Sequence, residues 1–158
     1  MSAPAQQLNK VIELAERRRD EALGQLARLR GEHQQAQAQM DQLTGYVGEA
    51  ERRWSERGAS GVDVALLMHH RQFMAKLDHA IAFQHNVLSE RVQQVEQAQS
   101  IVIEAERELA SLRKVAARQM QTWLQQLQRR DQKHTDEMAQ NAHRRRLDND
   151  SSFQPMSS

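Results

Sequence analysis

The sequence predicts an all-α protein, a long antiparallel coiled coil of two helices closed by one short turn. Three observations carry the prediction. Apolar residues recur every 3.5 positions along two long stretches. One strong breaker, Gly58-Ala59-Ser60-Gly61, separates those stretches. The material of sheets and deep cores is scarce, with aromatics at 4% and six Gly and two Pro in 158 residues.

The first helix is expected over residues 6–57. From Leu8, alternate steps of four and three residues meet Ile12, Ala15, Arg19, Ala22, Leu26, Leu29, His33, Ala36, Met40, Leu43, Val47, Ala50 and Trp54. Only Arg19 and His33 interrupt this apolar seam. Gly24, Gly31, Gly45 and Gly48 fall off it. Each weakens the helix by about 1 kcal/mol relative to Ala, so this helix should be the more deformable one.

The turn is expected at 58–62, with Asp63 placed to cap the second helix. That helix is expected over 63–143. Its seam runs from Leu67 through His70, Met74, Leu77, Ile81, Gln84, Leu88, Arg91, Val95, Ala98, Val102, Ala105, Leu109, Leu112, Ala116 and Gln119 to Trp123, then fades. This helix outruns its partner by about 30 residues, roughly 45 Å. The overhang carries Trp123, Leu124 and Leu127 with no internal partner. The polar, Ser-rich residues 147–158 are expected to be a disordered tail.

A short turn makes the helices antiparallel, so facing seam residues have numbers with a constant sum. Its position suggests a sum near 117 to 119, and 117 sets small against large in most layers. His33 would then meet Gln84, Leu26 would meet Arg91, and Tyr46 and Phe73 would lie at about the same level. A seam satisfied by its own partner helix implies a monomeric hairpin.

Several functions are excluded or disfavoured. No Cys is present, so disulfides and Cys-based zinc sites are excluded. The seven His (His33, His69, His70, His79, His85, His134 and His143) include no pair three or four apart, so no two share a helical face as metal ligands would. No Gly-rich phosphate loop and no cleft exist, so no enzyme activity, cofactor or metal is expected. No apolar stretch reaches membrane-spanning length, and residues 1–9 lack a signal-peptide layout, which makes the cytoplasm the default compartment.

The net charge of +1 creates no global field favouring nucleic acid. The charge is nonetheless clustered, in Arg17-Arg18-Arg19 and Arg144-Arg145-Arg146. Arg19 occupies a seam position, where a charge is costly unless paired. Such basic runs can bind nucleic acid, but no interleaved aromatics offer stacking, and a protein socket lined with acidic or backbone groups fits as well; a generic scaffold is the other alternative. Tyr46 and Phe73 each precede a seam position, where a ring either packs over the seam edge or docks a partner.

Three stretches resemble the FliJ family. They are Gln34-Gln35-Ala36 through Leu43, Tyr46 and Glu49; Arg71-Gln72-Phe73, Leu77, Ala80-Ile81 and Gln84-His85 after the Gly-containing turn; and Arg130-Asp131-Gln132-Lys133 followed by Asp136 to Gln140. The resemblance covers roughly residues 8–146.

The resemblance implies a soluble component of the flagellar type III export apparatus, similar to the central stalk of rotary ATPases. It implies that the end holding both termini inserts into the hexameric export ATPase, FliI. The basic residues there, Arg17, Arg18, Arg19, Arg129, Arg130 and Lys133, are the expected contacts. It also implies an escort role toward export chaperones and a face for FlhA, the membrane export gate. That face falls on Gln39, Leu43, Tyr46, Phe73, Leu77 and Ala80. Ala50 replaces a family aromatic beside it, and Gln84 stands at a family His position.

Overall fold

The computed structural model describes residues 5–152. It is an all-α hairpin of two helices, α1 (Ala5–Gly58, 54 residues) and α2 (Val64–Ser151, 88 residues). Both are long because their sequences offer helix formers and no internal Pro. The described chain divides into two compact units, residues 15–109 and residues 5–14 with 110–152.

The unit of residues 15–109 contains the turn and the core. The Arg57 carbonyl accepts from both the Ser60 amide, at 3.0 Å, and the Ser60 hydroxyl, at 2.9 Å, which closes the end of α1. Gly61 adopts φ +90°, a conformation that residues bearing a Cβ rarely take. The Asp63 carbonyl accepts the first bond of α2, from the Leu67 amide at 3.0 Å, so Asp63 is its N-cap.

Among the described residues, every buried one lies on the heptad seam: Ala15, Leu26, Ala36, Met40, Leu77, Gln84, Ala98, Val102 and Leu109. Leu26, Ala98 and Val102 form the centre of the core, with Ala22, Leu29 and Val95 packed against them. The burial is a narrow stripe, as a two-helix seam requires.

The register differs from the expected one. Trp54 stacks on His70, Gln84 bonds to Ala36 and Gln39, Arg91 pairs with Glu32, and Arg18 pairs with Glu108. These pairs, with the Leu26–Ala98 and Ala22–Val102 neighbours of the core, centre on a sum of 124 rather than 117. His33 is therefore level with Arg91, not Gln84. Leu26 is level with Ala98, not Arg91. Leu43 is level with Ile81.

The physical reason is that a heptad pattern is unchanged by a slide of seven residues, so the apolar seam alone cannot choose. The turn, centred on Gly61, favours the larger sum, and so do the cross-helix polar pairs. One consequence is that Phe73 lies five residues closer to the turn than Tyr46, roughly 7.5 Å along the axis, rather than at its level.

In the second unit, Leu8 and Ile12 of α1 and Leu112, Ala116, Trp123 and Leu127 of α2 are half-buried. From Gln128 to Ser152 every residue is exposed. The helix nevertheless continues past the expected end at 143. Residues 147–151, expected as disordered tail, are helical, because nothing before Pro155 denies the backbone its helical bonds. Residues 153–158 of that tail lie outside the described residues.

Candidate partner-docking sites

An antiparallel coiled coil has two edges beside its seam. Positions that precede a first seam residue of the heptad line one of them on both helices. Gln39 and Tyr46 of α1 and Phe73 and Ala80 of α2 all hold that position, so the sequence-predicted face is brought onto one edge. In the register of 124, the order from the turn is Phe73, Tyr46, Ala80, Gln39. Tyr46 is 54% exposed and Phe73 46% exposed, which makes them open rings on a chain with few others. Leu77 is buried and Leu43 half-buried, so these two support the edge from within the seam.

One edge residue is fixed from below. The Gln84 side chain is buried, and its Nε2 donates to the Ala36 carbonyl at 2.8 Å and to Gln39 Oε1 at 3.3 Å. The first bond satisfies a buried amide against the facing helix. The second holds Gln39 at the rim. Toward the turn the edge opens into a groove of about 760 Å³, lined by Trp54, Arg57, Leu66, His70 and Phe73 among others. Trp54 and His70 stack there with ring centroids 4.1 Å apart. Spacing alone places both on the seam but not in contact, because only the correct register makes them face each other.

The expected ATPase contacts fall in the two units. Arg17, Arg18 and Arg19 lie on α1 in the unit of residues 15–109. Arg18 pairs with Glu108 at 3.4 Å, and Arg19 pairs with the adjacent Asp20 at 3.0 Å. That local pair answers how a charge is tolerated at a seam position, since the Arg19 side chain keeps 29% of its exposure. Arg129, Arg130 and Lys133 lie on α2 in the other unit and are exposed. Among the described residues, no three His, Asp or Glu side chains group as a metal site. No described helix is long and apolar enough to cross a membrane.

No curated protein matches the sequence significantly. The family model of the flagellar FliJ protein does match, over residues 4–148. The matched stretch includes the turn, the edge that carries Tyr46 and Phe73, and Arg17, Arg18, Arg19, Arg129, Arg130 and Lys133. By that match the chain belongs to the FliJ family and is a component of the flagellar export apparatus.

Proposed function

We propose that the hairpin is the stalk of the export machinery. Its terminal end, with Arg17, Arg18, Arg19, Arg129, Arg130 and Lys133, enters the hexameric export ATPase FliI. The edge formed by Gln39, Tyr46, Phe73 and Ala80 over Leu43 and Leu77 docks the export gate FlhA. The protein works as a monomer in the cytoplasm, peripheral to the inner membrane, has no catalysis of its own, and serves as an escort for export chaperones.

The observation that carries this reading is the edge itself. Two half-exposed aromatics stand on a rim supported by buried Leu77 and half-buried Leu43. Aromatic rings backed by a rigid seam are the kind of anchor around which interface energy concentrates. Family membership supplies the identity of the partners. The test is a pull-down of the full chain with purified export ATPase and, separately, with the cytoplasmic part of the gate. Capture of both supports the stalk. Capture of neither, with salt-steep binding to DNA instead, overturns it.

A further inference from the structure

The heptad pattern permits two registers, one with facing residues summing to 124 and one summing to 117. Both keep first seam positions against second ones and set small residues against large ones. The observed choice therefore needs a cause outside the apolar pattern, and the polar groups of the seam supply it together with the turn.

Arg91 discriminates most strongly. In the observed register it is level with His33, its Nη1 lies 3.2 Å from Glu32 Oε2, and it donates to Gln94 Oε1 at 3.1 Å. Seven residues away it would be level with Leu26, which is 6% exposed in the core. A guanidinium there would lose Glu32 and enter an apolar layer, so the alternative is penalised as well as the native state rewarded. Gln84 acts in the same direction. Sliding to the other register removes its bonds to Ala36 and Gln39 and sets it beside His33.

We infer that Arg91 and Gln84 are positioning residues that select the register and, through it, the spacing of Tyr46 and Phe73 on the docking edge. In the register of 124 the two rings are five residues apart along the axis, roughly 7.5 Å. In that of 117 they would be two residues apart, roughly 3 Å, with their order reversed. Gln39 would also lose its support. The importance of that spacing for a partner rests on the docking role proposed above. The register selection does not.

The chain has no Cys, so introduced pairs report register without background. A disulfide needs Cα atoms about 4.4–6.8 Å apart, and a slide of one heptad moves them by roughly 10 Å. Ala22→Cys with Val102→Cys reports the observed register, and Ala22→Cys with Val95→Cys the alternative. In a glutathione buffer the first pair should close and the second stay open.

Adding Arg91→Leu and Gln84→Ala removes the Glu32 pair and both Gln84 bonds to α1, and gives residue 91 an apolar partner, Leu26, only in the alternative register. The ratio of second to first crosslink should then rise roughly tenfold or more, the scale of losing one charge-assisted hydrogen bond. An unchanged ratio in a variant that keeps its helicity would overturn the inference. If the double variant loses helicity, Arg91→Leu alone is measured in the same way, and an unchanged ratio there overturns it equally. Gate binding by the two crosslinked forms is a separate readout. Weaker binding by the 22–95 form supports the spacing claim. Equal binding refutes that claim and leaves register selection standing.

Discussion

The Trp54 indole lies flat on the His70 imidazole, with planes within 8° of parallel and centroids 4.1 Å apart. It is the cross-helix contact nearest the turn among those that define the register. Its position explains why the hairpin closes where it does. A slide to the register of 117 would separate the rings and leave Trp54 level with Asp63, at the turn.

An aromatic stack contributes about 0.5–1.5 kcal/mol beyond the area it buries. A double-mutant cycle with Trp54→Leu and His70→Leu, read by urea unfolding, should therefore give a coupling energy of about 1 kcal/mol. A coupling near zero would mean that the stack follows the register without supporting it.

The glycines divide by conformation. A Cβ added at Gly45 or Gly48 meets nothing within 4 Å, and both sit inside α1. Gly45→Ala and Gly48→Ala should each stabilise the hairpin by roughly 0.5–1 kcal/mol, because the unfolded chain loses freedom and no contact is strained. Gly61→Ala should destabilise it, since φ +90° is unfavourable for Ala whatever the space. Thermal melts of the three variants check the sign of each effect.

A heptad encodes which residues are buried, and to that extent the fold is legible in the sequence. Among the described residues, all nine buried ones belong to the seam series given by spacing alone, and the turn falls where two Gly cluster. The register is not legible, because a slide of seven residues leaves the apolar pattern intact and the decision passes to pairs such as Arg91–Glu32. The edge that carries Tyr46 and Phe73 is legible as heptad positions. The offset of Phe73 from Tyr46 is not, since it inherits the register. Residues 147–151 are helical despite a polar, Ser-rich composition, because composition carries less weight there than the absence of any breaker.

The terminal cations should act through charge rather than through fold. Arg18 and Glu108 are both about half exposed, and such surface pairs contribute under about 1 kcal/mol. Replacing Arg17, Arg18, Arg19, Arg129, Arg130 and Lys133 by Gln should leave helicity nearly intact. Stimulation of ATP hydrolysis by the export ATPase should fall, and its dependence on salt should flatten, because these charges steer encounter and orientation. Stimulation equal to wild type at every ionic strength would reduce the six residues to a solvated face.

The docking edge separates binding from stability by depth. Tyr46 and Phe73 are each about half exposed, so much of their surface is already in water in the folded hairpin. Truncating such rings removes little buried area, and the hairpin should lose under about 1 kcal/mol per ring. At the centre of an interface the same truncation can cost about 2 kcal/mol or more of binding. Tyr46→Ala with Phe73→Ala should thus keep a near-normal melting temperature while weakening gate binding roughly 30-fold or more, with motility falling in parallel. Leu77 is the control. It is 8% exposed beneath the edge, so Leu77→Ala opens a cavity in the seam, which typically costs about 2–5 kcal/mol in cores. That variant should lower the melting temperature and gate affinity together. The contrast between the two variants is the test. If the aromatic double variant melts as early as Leu77→Ala, the rings are part of the seam's own packing and the gate must dock elsewhere on the hairpin.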